Sequence, residues 1–269
     1  MNLVEESLTI LKNFYDERKR NLIAFSAGKD SIVLYHLAKR TGIPFEYVYG
    51  NTTIDPPGLI GLIRREYSDV NIIQPKRTFY ELIVAKGLPT RTKRFCCSDL
   101  KEYIGIDCKV FEGIRKGESI KRDIRLRTLI EPEVCDTRRK GKIHVYPIMN
   151  WAVSDIWNYI REYNLKYPAQ YDIGWDRIGC VGCPLAQQKK RILEFQTYPK
   201  YAYAIIKAIE KNMEVHPGKY LSNLFSDPYE AFFWWISELT IDQFRRSKDA
   251  FFIRDFKKEM FKLFPLNKK

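Results

Sequence analysis

The sequence predicts an α/β fold: a parallel sheet with flanking helices, followed by a helical C-terminal region. Three observations carry this. Short apolar runs alternate with segments of helical period through the first half of the chain, the pattern of strands joined by helical crossovers. A Ser-Ala-Gly turn joins the first apolar run to the helix after it. Beyond about residue 185 the strand-like runs stop and helical periodicity takes over.

In chain order, residues 3–19 set Leu3, Leu8, Ile10, Leu11 and Phe14 among charges at helical spacing. Residues 21–25 are a short apolar strand. Residues 31–40 follow as a helix with Ile32, Val33, Leu34, Leu37 and Ala38 apolar. Residues 45–49 read as a second strand, and Pro56 and Pro57 suit the first turn of a helix running to about Tyr67. Residues 70–73 give a third strand and 79–85 a third helix, and 110–114 and 143–148 give further strands. Between the last two lies a stretch rich in Arg and Lys, residues 115–142, expected to be a mobile loop over a site. The expected domains are residues 1–185, bearing the nucleotide site and the cysteines, and 186–269, a helical appendage. The run Phe232-Phe233-Trp234-Trp235 suits base stacking or a helical core, and core packing is the expectation.

A chain of 269 residues, 45% hydrophobic, can build one large α/β domain with a smaller appendage. Its charge of +13 favours polyanionic partners such as nucleotides, nucleic acid or acidic proteins, and equally fits an ordinary basic surface. No run approaches the roughly 18–20 apolar residues of a membrane span. The start, Met1 to Glu6, is acidic rather than basic-then-apolar. These features lead to the expectation of a cytoplasmic protein with no membrane partner, its six cysteines reduced unless they bind metal.

Phe25-Ser26-Ala27-Gly28-Lys29-Asp30-Ser31 has the parts of a phosphate-binding loop. A glycine-containing turn lets backbone N–H groups approach a phosphate, and the next helix adds its positive N-terminal end. Ser26 and Ser31 offer hydroxyls and Lys29 a cation, while Asp30 suits either a Mg²⁺ ion or the positioning of the loop. The spacing is not that of a Walker A loop. Cys96-Cys97 and Cys180-Val181-Gly182-Cys183 make two pairs about eighty residues apart. Four thiolates suit Zn²⁺ or an iron–sulfur cluster, although adjacent cysteines are awkward around one zinc ion. A redox pair at Cys180 and Cys183, or buried inert thiols, are the other readings.

Taken together, these motifs resemble the phosphoadenylylsulfate (PAPS) reductase family of the PP-loop ATP pyrophosphatase superfamily, whose fold is adenine nucleotide α-hydrolase-like. Ser-Ala-Gly-Lys-Asp-Ser is similar to its Ser-Gly-Gly-x-Asp-Ser loop, with Ala27 in place of the first glycine, a departure tolerable where that position needs no positive φ. Thr52 to Pro57, including Asp55, resembles its second nucleotide-site segment. Arg94 to Lys101 resembles its Cys-Cys-x-x-Leu-Lys block, and Gly113 to Ser119 with Arg122 its Gly-hydrophobic-Arg-x-x-Glu-Ser motif. Tyr146-Pro147-Ile148 with Trp151, Asp155 and Trp157, then Tyr171 to Gly174 and Arg177 to Cys183, complete a likeness over roughly residues 20–190. The resemblance implies a four-iron–four-sulfur (4Fe-4S) cluster on Cys96, Cys97, Cys180 and Cys183. It implies nucleotide binding by Ser26, Gly28, Lys29, Asp30, Ser31, Asp55, Lys101, Arg115 and Arg122, with ATP, adenylylsulfate or phosphoadenylylsulfate as ligand.

Thiol-dependent members of that family carry a nucleophilic cysteine near the C-terminus, and here no cysteine follows Cys183. Lys29-Asp30-Ser31 is intact, as in members that use ATP itself. This combination resembles the DNA-phosphorothioation members, which implies ATP-dependent activation of a substrate for sulfur insertion. DNA or RNA, a sulfur donor such as a cysteine desulfurase or a thiol reductant, and a second copy in a homodimer are the partners that reading admits. The alternative is a sulfonucleotide reductase with an unusual or partner-supplied thiol. Lys29, Asp30, Arg115 and Cys135 are the catalytic candidates. Cys135 lies near Arg138, Arg139 and Lys140, which favour its thiolate. A chance loop cysteine is the competing reading there.

Overall fold

Asn2 opens helix α1, Leu3–Phe14, by accepting the Val4 N–H at 3.2 Å on its side-chain oxygen. The structure, a computed structural model, describes residues 2–117, 130–131, 141–250 and 255–266. The first helix stops at Phe14 rather than near residue 19. Asn21 reaches back and exchanges side-chain hydrogen bonds with the Asp16 backbone at 2.8 and 3.1 Å, turning the chain into strand β1, Asn21–Ala24.

The chain divides into two compact units. The first comprises residues 1–51, 56–75 and 101–179. It holds β1, β2 (Glu46–Gly50), β3 (Asn71–Ile73), β4 (Lys109–Glu112), β5 (Ile130–Glu131) and β6 (Ile143–Val145) in the order β3-β2-β1-β4-β6-β5. Five of these strands run parallel, and β5 pairs antiparallel with β6. Helix α2 (Lys29–Arg40) follows β1, α3 (Leu59–Glu66) crosses from β2 to β3, and α6 (Val153–Glu162) follows β6. β1 is central: Leu22 lies opposite Glu46 of β2 and Val110 of β4. Leu22 and Ile23 are buried, as an interior parallel strand requires. The stretch 115–142, expected to be a mobile loop, contributes the short edge strand β5. The apolar Ile130 heads that strand within a segment whose overall basic composition masked it.

The second unit comprises residues 52–55, 76–100 and 180–269. Helix α4 (Phe79–Lys86), capped by Thr78 and Glu81, and the turn α5 (Phe95–Cys97) belong with the later helices. Those are α7 (Gln188–Thr197), α8 (Pro199–Val215), α9 (Tyr220–Leu224), α10 (Pro228–Ser237), α11 (Ile241–Ala250) and α12 (Phe256–Leu263). The reason is a shared core: Phe79, Leu82 and Ile83 pack with Ala202, Ile205 and Ile209 of α8 and with Phe232 and Trp235 of α10. The run Phe232–Trp235 is therefore helix core, with Phe232 fully buried. Among the described residues no helix is long and apolar enough to cross a membrane.

Ala27 departs from expectation. Its φ is 56°, in the left-handed region, because the chain must reverse from β1 into α2 within Phe25–Gly28. An L-residue there costs about 1–2 kcal/mol. Ala27→Gly relieves this strain but frees the unfolded chain and removes a fully buried methyl. Thermal melts should therefore place it within about 1 kcal/mol of the parent. Ala27→Val adds a β-branch at the same φ and should lose about 2 kcal/mol or more in the same assay.

Candidate nucleotide site and cysteine centre

The strand order places the turn after β1 at a topological switch point. The chain leaves β1 toward β2 and β3 on one side, and β4 and β6 occupy the other. In open α/β sheets, ligands bind at the carboxyl ends of strands flanking such a point. The loop at the end of β1 and the segment leaving β4 meet here. Gly113, just past β4, lies so close to α2 that an added Cβ would stand 2.9 Å from the Asp30 carbonyl carbon. Glycine at 113 is what lets β4 deliver Arg115 to the loop.

Arg115 is 5% exposed and Lys29 6% exposed, so both cations are buried. The Asp30 carboxylate bridges them. Arg115 Nε donates to Oδ1 at 2.5 Å and Lys29 Nζ to Oδ2 at 3.1 Å. Both carboxylate oxygens thus take part in ordering the loop. Arg115 also donates to the Trp151 carbonyl at 3.3 Å and Lys29 to the Asp176 carbonyl at 3.3 Å. Ser31 Oγ ties the turn, donating to the Gly28 carbonyl at 2.9 Å and accepting the Ser26 N–H at 3.1 Å. Ser26 is exposed at the loop tip. Two cations against one carboxylate, beside the N–H groups opening α2, make a locally positive cleft suited to a phosphate or sulfate group.

Tyr171 belongs to the Tyr-Asp-Ile-Gly motif, which by itself implies no role for its side chain. Its hydroxyl accepts the Lys29 N–H at 3.0 Å, at the first position of α2, and Lys29 Nζ lies over its ring. Burial pushes this phenol up to about 12, against the lowering effect of hydrogen bonds from the Lys29 and Ile178 backbones. Its neighbour in sequence, Asp172, is the more conspicuous polar residue, and only folding shows which one reaches the loop.

The four cysteines lie together in the second unit. Cys96 and Cys97 form α5, and a π-helical turn, Ser98–Glu102, carries Lys101 onward with its side chain exposed. Cys180 contacts Thr52 Oγ1 at 3.6 Å, and the Val181 N–H donates to the Ile54 carbonyl at 2.9 Å. Asp55 therefore sits in the segment that braces the cysteine loop, where its carboxylate accepts the Thr52 N–H at 3.0 Å. The Cys96 thiol is pushed well above the ordinary thiol range by its hydrogen bond with Cys97, by burial, and by the negative charges of Cys97, Cys180 and Cys183. Among the described residues, no group of three or more His, Cys, Asp or Glu side chains is arranged to hold a metal ion. Cys108 is buried, and its thiol donates to the Ile106 carbonyl. Arg122 and Cys135 lie outside the described residues.

Arg115→Lys keeps the charge and loses the planar fork. Calorimetric titration with ATP or adenylylsulfate should show binding weakened roughly tenfold, about 1.4 kcal/mol. An unchanged affinity removes Arg115 from the site.

The chain is 29% identical over 216 residues to an uncharacterized protein of Methanocaldococcus jannaschii, covering 74% of this chain and 50% of that one. It spans about half or less of the length of its two M. jannaschii relatives. It is 27% identical over 192 residues to adenosine 5'-phosphosulfate reductase of Bacillus mycoides, covering 66% of this chain and 80% of that enzyme. The fold is similar to that of a crystallised phosphoadenylyl-sulfate reductase from Candida auris, with TM-score 0.51 and 19% identity over 65% of this chain and 88% of that one. The profile described as the phosphoadenosine phosphosulfate reductase domain matches residues 20–186, the span holding the phosphate loop, Arg115 and all four paired cysteines, and the chain belongs to that family.

Proposed function

We propose that this chain is a PP-loop enzyme of sulfur metabolism that cleaves ATP to AMP and pyrophosphate to activate a substrate for sulfur insertion. The observation that carries the reading is the Lys29–Asp30–Arg115 bridge at the opening of α2, a buried anion site complete at the switch point of the sheet. Lys29 and the α2 N–H groups bind and orient the phosphates. Arg115 and Arg122 hold the α-phosphoryl oxygens as charge builds there. A substrate oxygen attacks the α-phosphorus and pyrophosphate leaves. The terminal sulfur of a persulfide, on a cysteine desulfurase or another thiol carrier, then attacks the adenylated position and displaces AMP, leaving substrate and carrier joined by a disulfide, and a second thiol, acting as reductant, attacks the carrier sulfur, breaks that S–S bond and releases the thiolated substrate. Cys135 is the candidate to carry that sulfur within this chain. The net charge of +13 supports a nucleic-acid substrate, as in DNA phosphorothioation, and a cytoplasmic setting supplies the ATP.

Cys96, Cys97, Cys180 and Cys183 are the proposed ligands of a 4Fe-4S cluster. The donor set is all sulfur, and thiolates that repel one another as these do favour a cationic centre among them. When bound, such a cluster supplies an iron site at which sulfur can be held.

A second reading, sulfonucleotide reduction, is favoured by the relatives named adenosine 5'-phosphosulfate reductase. One anaerobic assay separates the two. With ATP, nucleic acid and a persulfide donor, the expected product is pyrophosphate, lost in Lys29→Ala. Sulfite released from adenylylsulfate or its 3'-phosphorylated form, and abolished by Cys135→Ala, would replace the first reading with the second.

A further inference from the structure

The segment after α6 reaches the phosphate loop through one phenol. Ala169–Tyr171 form a single 3₁₀ turn. The Tyr171 N–H donates to the Pro168 carbonyl at 3.1 Å, and the Gly174 N–H donates to the Tyr171 carbonyl at 3.2 Å, so the turn is tied on both sides. The Tyr171 ring meets Trp157 of α6 edge to face, with centroids 5.1 Å apart, and the Lys29 ammonium lies 5.7 Å from its centre. The hydroxyl oxygen then stands at the start of α2, accepting the Lys29 N–H at 3.0 Å. Gly28 keeps that approach open, since an added Cβ would crowd the Ser26 hydroxyl at 3.3 Å and touch the phenol oxygen at 3.5 Å.

A phenol has one proton to give and an oxygen that accepts on two sides. The backbone N–H groups of Lys29 and Ile178 occupy the accepting sides of Tyr171. Its own proton goes to no acceptor among the described residues. The hydroxyls of Tyr35, Tyr67, Tyr167, Tyr201 and Tyr203, by contrast, each donate to an oxygen of the protein. What remains to Tyr171 is a donor, placed at the end of a helix that Gly28 leaves without a side-chain cap. The cleft around it already carries net positive charge from Lys29 and Arg115 against Asp30. Burial pushes this phenol up to about 12, so the donor keeps its proton at neutral pH.

We propose that the Tyr171 hydroxyl is a phosphate ligand of this site, donating its proton to a phosphate oxygen of the bound nucleotide while its oxygen stays hydrogen-bonded to the loop backbone. This rests on the reading that the Lys29–Asp30–Arg115 bridge receives the phosphates. The first N–H of α2 is taken by the phenol, and the phenol's O–H stands in its place as the donor. A neutral donor adds direction to phosphate binding without adding charge to a cleft that already holds two cations.

The test is calorimetric titration of the full chain with ATP and with pyrophosphate at about pH 6, well below the ionisation of the phenol. Tyr171→Phe keeps the ring and its contacts with Trp157 and Lys29, and should weaken both ligands roughly tenfold. Replacing Tyr171 by a difluorinated tyrosine, with fluorine on both ring carbons beside the hydroxyl, makes the O–H a stronger donor and the oxygen a weaker acceptor. This variant should bind both ligands more tightly than the parent. A hydroxyl that only braces the loop gives weaker binding in both variants. One that merely occupies an N–H the phosphate needs gives tighter binding in both. Any result other than opposite signs overturns this inference alone. A parent that binds neither ligand, or whose affinity is untouched by Arg115→Lys, places the phosphates elsewhere and overturns the functional reading together with this one.

Discussion

The carboxylate of Asp30 stands between two buried cations, and the geometry of the nucleotide site follows from that bridge. Lys29 and Arg115 come from opposite sides of the switch point, one opening the helix after β1 and the other leaving β4. Without an anion between them they would repel one another in a region nearly closed to water. With it they are bridged by one carboxylate and together carry a net positive charge. Gly113 and the left-handed turn at Ala27 are conditions of the same bridge. The first removes a side chain from the approach of β4, and the second turns the chain sharply enough for α2 to begin where Asp30 can reach Arg115.

The second unit solves a different electrostatic problem. It is a helical core rich in Phe and Trp, yet it holds Arg191 and Glu194 almost wholly buried. Both hydrogen-bond Gly182 of the cysteine loop. Charged groups that a core of this kind ordinarily excludes are retained where they hold backbone beside thiols. The adjacent segment, Thr52 to Asp55, supports the loop from its other end through the Ile54 carbonyl and the Thr52 hydroxyl. The cysteine loop is thereby braced by hydrogen bonds at three of its four residues, Cys180, Val181 and Gly182.

Family membership and site geometry are distinct supports. The matched profile and the adenosine 5'-phosphosulfate reductase relatives identify the family, and the Candida auris structure supports the fold. The chemistry rests on the residues themselves: an anion site with lysine, aspartate and arginine in place, and four sulfur donors in a separate unit.

The sequence by itself determined the parallel α/β fold, because buried parallel strands need continuous apolar runs such as Leu22–Ile23, and α2 needs its apolar face at helical spacing. It also determined the loop Ser26–Ser31, the cysteine pairs and Arg115, since those depend on residue type and local order. Tertiary structure decided what depends on residues far apart in the chain. The short strand β5 forms only against β6. The segments 52–55 and 76–100 leave their sequence neighbours to join a core built by α8 and α10. Ala27 takes the positive φ that its side chain disfavours, because the turn between β1 and α2 admits no other path. Tyr171 and Arg191 look in the sequence like any other aromatic and basic residue. Their places, at the first N–H of α2 and beneath Gly182, exist only once distant backbone is packed against them.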